Sequence, residues 1–456
     1  MEIKKNDLYT VEITDMTDDG SGIGKVDGYT LFIKDALVGD LAKVKVIKTK
    51  KRYGYGRLME IVKPSPNRVD PPCPAARSCG GCQIQQMSYP AQLAWKQKRV
   101  SDLLERIGGI RDYQMLPILG MDRPWRFRNK AQYPVGRGRD GKAAAGFYAL
   151  HSHNIISCGD CLLQDPRSIQ AMEICRRWID SFGISIYDEK TARGLIRHIL
   201  TRTGAATGQI MVCLVVNGKK IPRQEELIGE LTKVEGMTGI CLSPNQERTN
   251  VILGSSFRVL WGQGYITDRI GDVSYRISPL SFYQVNPLQT EKLYRTALEF
   301  ADPQEDEVVF DLYCGIGTIS LFLARAASQV YGIEIVPAAI EDARQNAQDN
   351  GLENVHFYCG KVEELTPRLC QEKDIRADIV VVDPPRKGCD ASLLEFLGFL
   401  SPRKIVYVSC DPATLARDLA VLTGKGYRVD KVRCCDMFPH SVHVESAVLL
   451  TRQKSI

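Results

Sequence analysis

Cys410 lies in the segment 408–418, which reads V-S-C-D-P-A-T-L-A-R-D and joins an apolar run to helix-forming residues. A thiolate is a strong nucleophile, and a residue at a strand-to-helix junction lies at the sheet edge where ligands bind. The site must favour the anion, and the N-terminus of a helix beginning near Ala413 is a candidate source of that stabilisation. The pattern therefore predicts that Cys410 is a nucleophile supported by the following helix.

A glycine turn occurs upstream of this cysteine. The segment 307–318 reads E-V-V-F-D-L-Y-C-G-I-G-T, an apolar run followed by a turn that leads into a predicted helix over 319–327. Such turns let backbone N–H groups approach a nucleotide-like ligand, and a carboxylate about 20 residues further on binds ribose hydroxyls. Glu334 is that carboxylate. The turn lacks the third glycine of the dinucleotide fingerprint, which favours a ligand without a pyrophosphate, such as S-adenosylmethionine (SAM).

Four apolar runs in this half of the chain end in chemically useful side chains, which are Tyr313, Glu334, Asp383 and Cys410. In open parallel sheets, ligands bind beyond the carboxyl ends of the strands. We therefore expect these four residues to meet in one crevice of an α/β domain.

A second group of cysteines lies near the N-terminus. Cys73, Cys79 and Cys82 form a C-x5-C-G-G-C array, and C-G-D-C later in the chain adds Cys158 and Cys161. Four thiolates hold either zinc or an iron–sulfur cluster. Zinc bound by the two C-x2-C pairs would leave Cys73 unused, whereas its spacing favours a [4Fe–4S] cluster. Cysteines without any ligand are the third interpretation.

Length and composition limit the classes of protein to be considered. A chain of 456 residues exceeds the size of a single core, so two or three domains are expected. No apolar run approaches the roughly 18 to 20 residues that span a bilayer, and no signal-peptide core follows Met1. Fifteen scattered cysteines argue against a disulfide framework. We expect a cytoplasmic protein that makes no membrane contact.

Three segments differ in pattern. Five short strands punctuated by glycine predict a β-barrel of the oligonucleotide-binding (OB) kind at the N-terminus. The middle segment is mixed, with a helix predicted over 90–107 and strands over 210–216 and 251–253. The predicted domains are the barrel at 1–63, the central domain at 64–277 and the α/β domain at 278–456.

Two stretches carry excess positive charge. Residues 43–63 include eight basic residues and one acidic residue, and residues 123–142 include seven basic residues and one acidic residue. Basic side chains neutralise phosphates, and aromatic faces stack on unpaired bases, so the two stretches together predict an RNA partner. Solvated strand faces explain either stretch alone equally well. The interleaved aromatic residues are Tyr53, Tyr55, Trp125, Phe127 and Tyr133.

These features together resemble the RNA 5-methyluridine (uracil-C5) methyltransferase family, specifically its iron–sulfur members that act on 23S ribosomal RNA. The resemblance covers nearly the whole chain. It implies a Rossmann-like SAM-dependent methyltransferase domain, an N-terminal OB-like TRAM barrel and a central α+β iron–sulfur domain, in a monomer without an obligate protein partner. The motifs are the C-x5-C-G-G-C array, S-F-Y-Q-V-N at 281–286, D-L-Y-C-G-I-G-T, D-P-P-R-K-G, S-C-D-P-A-T-L-A-R-D and F-P-H-S-V-H-V-E at 438–445.

The resemblance also implies a role for each matched residue. Cys410 adds to C6 of uracil so that C5 can attack the methyl group of SAM, and Glu445 then removes the C5 proton. The target uridine is expected to be flipped out or to lie in a loop. The implied cofactor contacts are Gln284, Tyr313, Glu334 and Asp383. The implied cluster ligands are Cys73, Cys79, Cys82 and Cys161, with Cys158 as the reserve for the fourth.

Three alternatives stay open. Transfer RNA could be the substrate of the same reaction. An amino-group RNA methyltransferase also carries D-P-P, although there an aromatic residue follows where this chain has Arg386, and no cysteine nucleophile is needed. A non-catalytic RNA-binding or redox-sensing protein would use the cluster as its working part.

Overall fold

The structure, a computed structural model, describes residues 3–150, 152–157 and 159–453. The strands are β1 (Leu8–Met16), β2 (Gly22–Val26), β3 (Tyr29–Ile33), β4 (Leu41–Thr49), β5 (Tyr53–Lys63), β6 (Gln114–Leu119), β7 (Lys130–Arg137), β8 (Ala143–Tyr148), β9 (Ile155–Ser157), β10 (Ile196–Thr203), β11 (Ile210–Val216), β12 (Met237–Pro244), β13 (Arg258–Gly262), β14 (Ile266–Ile270), β15 (Val273–Ile277), β16 (Val308–Leu312), β17 (Gln329–Glu334), β18 (Val355–Cys359), β19 (Ile379–Val382), β20 (Lys404–Ser409), β21 (Tyr427–Cys435) and β22 (Glu445–Arg452). The helices are α1 (Tyr89–Arg106), α2 (Pro166–Ser181), α3 (Gln224–Leu231), α4 (Pro287–Ala301), α5 (Thr318–Leu323), α6 (Pro337–Asp349), α7 (Val362–Lys373), α8 (Ala391–Leu400) and α9 (Pro412–Gly424).

The chain forms two compact units. The chain passes more than once between them, and the three predicted domains stay a prediction. The first unit contains Met1–Lys96, Phe147–Ile156 and Phe438–Val442, and the second contains Gln97–Gly146, Ser157–Met437 and His443–Ile456.

The first unit contains a closed barrel with the strand order β1-β2-β3-β5-β4, which confirms the OB-like prediction. Alternate residues point inwards, as in Leu31 and Ile33 of β3, which are fully buried. Gly56 of β5 lies against this interior, where a Cβ would come within 2.2 Å of Cγ1 of Val44. The glycines of Y-G-Y-G therefore face inwards and the tyrosines face outwards.

The second unit contains a sheet with the strand order β13-β12-β11-β10-β7-β8. Every residue of β10 and β11 is buried. The bounds of β11 match the strand predicted over 210–216. The strand predicted over 251–253 is wrong. Nδ2 of Asn245 donates hydrogen bonds to the carbonyl oxygens of Val251 and Ile252 at 2.8 and 2.9 Å, so a side chain takes the place of a neighbouring strand.

A second sheet in the same unit has the order β18-β17-β16-β19-β20-β22-β21-β6. Its pairs are parallel except those of β22, which runs antiparallel to β20 and β21. Apolar residues of α1, α7, α8 and α9 join its core. This is the doubly wound α/β arrangement that the sequence predicts. No helix in the described part of the chain is long and apolar enough to cross a bilayer.

Candidate active site

The glycine turn after β16 is tied to the end of β17. The backbone N–H groups of Tyr313 and Cys314 donate to the carbonyl oxygen of Ile333 at 2.9 and 3.1 Å, and Tyr313 has a φ of +68°. Gly315 follows with a φ of +55°, and a Cβ there would meet nothing within 4 Å. The turn therefore presents bare backbone to open space, which suits the close approach of a ligand.

Glu334 lies beside this turn at the end of β17. Its Oε2 accepts the N–H of Gly315 at 3.2 Å, and its Oε1 accepts the N–H of Val336 at 2.9 Å. A carboxylate oxygen can accept more than one hydrogen bond, so each oxygen of Glu334 still has a lone pair for a ribose hydroxyl. The position agrees with the predicted role of Glu334.

Asp311 is buried in β16, beneath the turn. Its Oδ2 accepts the hydroxyl of Ser320 at 2.5 Å, and its Oδ1 has no hydrogen-bond partner among the described residues. Burial raises the pKa of Asp311 to about 7, and the charge of Glu334 adds to the shift. Asp311 can therefore carry a proton at neutral pH, which lowers the negative charge under the ligand site.

Cys410 and Glu445 are neighbours across two strands. In the antiparallel pair of β20 and β22, Ser409 lies opposite Ser446. Cys410 is the next residue after β20 and Glu445 is the first of β22, so both lie at the same end of the pair. Asp383 follows β19, the other neighbour of β20, and so lies at the same edge of the sheet.

The helix after Cys410 has its own cap. Oδ1 of Asp411 accepts the N–H groups of Ala413 and Thr414 at 3.0 and 3.1 Å, and this satisfies the first turn of α9. These N–H groups therefore donate to a carboxylate rather than to the sulfur. Stabilisation of the thiolate by this helix N-terminus stays a prediction.

Acidic groups near Cys410 disfavour its thiolate form. Burial raises the pKa of Cys410 to about 12, with Glu445 and Asp383 adding to the shift. Burial also raises the pKa of Glu445 to about 8 and that of Asp383 to about 7. The guanidinium of Arg386 opposes the shift at both Cys410 and Glu445. Cys410, Glu445 and Asp383 are therefore three acidic groups influenced by the same surroundings. The role of Arg386 as the cation near Cys410 and Glu445 was not apparent from the sequence.

Gln284 lies in the segment between β15 and α4, and Asn129 fixes its backbone. Nδ2 of Asn129 donates to the carbonyl oxygen of Gln284 at 2.9 Å, and the N–H of Asn129 donates to that of Val285, also at 2.9 Å. Asn129 could not be found from local sequence patterns, because this contact joins residues 155 positions apart.

The predicted cluster ligands have a different status. Cys73, Cys79, Cys82 and Cys161 are half-buried, and Cys158 lies outside the described residues. Over residues 3–150, 152–157 and 159–453, no group of three or more His, Cys, Asp or Glu side chains is arranged to hold a metal. The [4Fe–4S] cluster therefore stays a prediction from spacing and resemblance.

The two basic stretches behave differently. Tyr53 and Tyr55 are 37% and 39% exposed and contact each other and Phe32 on the barrel's outer face, with ring centroids 5.5 to 5.9 Å apart. In the second stretch, Phe127 and Tyr133 are only 6% and 1% exposed. The prediction that these two rings stack on bases is wrong, because they belong to the core.

Comparison with known proteins identifies the family. A family model described as tRNA (uracil-5-)-methyltransferase matches residues 251–453, and a TRAM domain model matches residues 4–59. An uncharacterized RNA methyltransferase of Clostridium tetani is 52% identical over 450 residues, covering 98% of this chain and 97% of the relative. The chain belongs to the RNA (uracil-5-)-methyltransferase family. A second such relative of this methyltransferase, from Halalkalibacterium halodurans, is 50% identical over 449 residues, or 98% of each chain.

A solved structure resembles this methyltransferase over nearly its whole length. The Pyrococcus abyssi tRNA (uracil-54, C5)-methyltransferase in complex with S-adenosyl-L-homocysteine has a TM-score of 0.75 and 29% identity, covering 97% of this chain and 99% of that one. The fold is thus a Rossmann-like SAM-dependent methyltransferase with a TRAM barrel. The open backbone at Gly315 and the fixed Glu334 fit SAM as the cofactor.

Proposed function

We propose that this methyltransferase uses SAM to methylate C5 of a uridine in 23S ribosomal RNA through a covalent bond between Cys410 and C6. The observation that carries the proposal is the placement of Cys410 and Glu445 at one end of paired strands, with Asp383 on the next strand. A nucleophile and a carboxylate base side by side are what addition and elimination at a pyrimidine require.

The residues act in sequence. The Sγ thiolate of Cys410 attacks C6, and the π electron pair of the C5–C6 bond moves to form an enolate. C5 then attacks the methyl carbon, whose bond to the sulfur of the methyl donor breaks with both electrons staying on that sulfur. SAM supplies that methyl group. Glu445 then takes the proton from C5, the C5–C6 double bond forms again, and the thiolate leaves with the electrons of its bond to C6.

The protonation states set conditions on this sequence. Cys410 must lose its proton although burial raises its pKa to about 12, so positive charge has to be brought close to the sulfur. Arg386 supplies part of that charge, and the sulfonium of SAM supplies more. Glu445, with a pKa of about 8, lies near the operating range expected of a general base.

The substrate assignment rests on the cysteine array and the barrel. Their combination resembles the ribosomal branch of the family, whereas the solved structure described above is that of a tRNA enzyme. Mapping 5-methyluridine in both RNAs from a strain lacking the protein tests the assignment. Loss from 23S ribosomal RNA is expected, and loss confined to transfer RNA would overturn it. Retained methylation of a Cys410→Ala variant would instead favour an amino-group methyltransferase.

The cluster is a separate part of the proposal. We expect Cys73, Cys79, Cys82 and Cys161 to hold a [4Fe–4S] cluster, on the support of their spacing. None of the steps described above uses the cluster. Iron and sulfide analysis of anaerobically purified protein tests this, and a stoichiometric zinc content would contradict it. Cytoplasmic location and a monomeric state are likewise proposed.

A further inference from the structure

The segment after β19, D-P-P-R-K-G-C at 383–389, carries both Asp383 and Arg386 into the active site. Its middle residues are exposed and form no regular structure. A short exposed loop holds one conformation only when other elements fix its backbone. Contacts with α9, the helix that begins directly after Cys410, fix this one.

Asp418 is the centre of these contacts. It is fully buried, and its Oδ2 accepts the backbone N–H of Cys389 at 2.8 Å and the hydroxyl of Tyr407 at 2.6 Å. Its Oδ1 accepts Nε of Arg417 at 2.8 Å. A buried carboxylate is costly unless it is paired and hydrogen-bonded, and here all of its partners belong to the active-site loop, to β20 or to α9.

Two loop carbonyl groups are held from the same helix. Nη2 of Arg417 donates to the carbonyl oxygen of Lys387 at 2.8 Å, and Oγ1 of Thr414 donates to that of Arg386 at 3.1 Å. Consecutive residues of the loop are therefore bonded to side chains spaced one turn apart on α9. These hydrogen bonds link the loop to the first turns of α9, which begins two residues after Cys410.

Gly388 shows how close the loop lies to the helix. Its φ is +80°, and a Cβ there would lie 2.4 Å from Nη2 of Arg417 and 2.5 Å from Oδ2 of Asp418. Only glycine fits this conformation and this distance without strain. The close approach agrees with a loop that is pressed against Arg417 and Asp418.

We propose that Arg417 and Asp418 are positioning residues, which hold the backbone of Arg386 so that its guanidinium faces Cys410 and Glu445. The inference rests on the proposed role of Cys410 as the nucleophile. The charged groups acting on the sulfur are Glu445, Asp383 and Arg386. A loosened loop would displace the cation that opposes the two carboxyl groups. Glu445 belongs to β22, and Asp383 is held at the start of the loop by its backbone N–H, which donates to the carbonyl oxygen of Leu312 at 3.2 Å.

The test measures the reactivity of the Cys410 thiol in the full-length protein without RNA or SAM. Iodoacetamide alkylation between pH 7 and 9.5 is followed by peptide mass spectrometry, and the exposed Cys359 serves as the internal reference. Arg417→Ala is expected to slow Cys410 relative to Cys359 by about threefold to tenfold, up to one pKa unit. Arg417→Lys should restore part of the rate, because an ammonium can still reach a carbonyl oxygen.

A double-mutant cycle separates positioning from general loosening. Arg386→Ala should slow Cys410 as much as Arg417→Ala, and the double variant should be no slower than either, since both changes remove one effect. Glu395→Gln is the matched control, because the 2.5 Å pair of Glu395 with Lys425 joins the far end of α9 to α8. An unchanged or faster Cys410 in Arg417→Ala, or fully additive losses, would overturn the inference. Neither outcome bears on which RNA is methylated.

Discussion

Replacing Glu445 by glutamine is expected to stabilise the protein, although it removes the proposed base. Glu445 is 3% exposed, and burial raises its pKa to about 8. In the unfolded chain a glutamate ionises near pH 4.3. Between these values the native state keeps a proton that the unfolded state loses, so the wild-type protein loses stability as the pH rises. Glutamine carries no proton to lose and avoids this cost.

The magnitude follows from the size of the window. Each pH unit inside it costs about 1.4 kcal/mol for a fully protonated native carboxyl group, so the interval from pH 5 to pH 7 corresponds to about 2 to 3 kcal/mol at most. Relaxation of the buried site and the neighbouring Asp383 reduce that figure, and about 1 kcal/mol is the smallest value that the argument allows. Comparing two pH values cancels any constant effect of the amide group.

Urea denaturation at pH 5, 6 and 7 measures the difference in unfolding free energy between Glu445→Gln and the wild-type protein. Glu353→Gln, at an exposed glutamate, is the control and should show no trend. The advantage of Glu445→Gln should grow steadily with pH. An advantage that stays constant within about 0.5 kcal/mol, or shrinks, would refute the linkage argument.

Three other predictions concern activity. Cys410→Ala should abolish methyl transfer while SAM still binds, whereas Glu445→Gln should accumulate a covalent protein–RNA adduct, visible as a gel shift that survives denaturant; an adduct in Cys410→Ala would contradict the mechanism. Glu334→Gln should weaken SAM binding about tenfold in calorimetry, since two ribose hydroxyls lose a charged acceptor, while RNA affinity stays unchanged. Replacing Tyr53 and Tyr55 by alanine should weaken RNA binding by about 1 to 3 kcal/mol per base that loses its stacking partner, without changing the affinity for SAM.

Local patterns explain why much of the fold could be predicted. Alternation in β3 and the outward tyrosines of Y-G-Y-G encode a small barrel, and buried runs that end in Tyr313 and Cys410 encode a parallel sheet. The cap of α9 was also present in the sequence, because aspartate followed by proline is a typical helix start. Asp411 therefore already indicated that the N–H groups beside Cys410 were engaged.

Other features depend on contacts that no local pattern contains. Asn129 reaches Gln284, and Arg417 reaches Lys387, only once distant segments pack together. For the aromatic residues over 123–142, a local pattern led to a wrong prediction, because Phe127 and Tyr133 are buried. Their spacing resembles that of Tyr53 and Tyr55, but burial of Tyr133, whose hydroxyl lies 2.9 Å from Oγ of Ser168, depends on the helix packed against its strand.

The charges of the site favour a particular order of events. The charges of Glu445 and Asp383 oppose the ionisation of Cys410, and the charge of Asp383 opposes that of Glu445. Arg386 offsets part of both effects. A bound cation and the ionised forms of these groups must stabilise each other equally, because coupling between two equilibria is reciprocal. Under the proposed mechanism the sulfonium of SAM is such a cation, so we expect SAM binding to favour the thiolate of Cys410. Before SAM binds, the neutral, half-buried thiol of Cys410 is expected to react slowly with oxidants and alkylating agents.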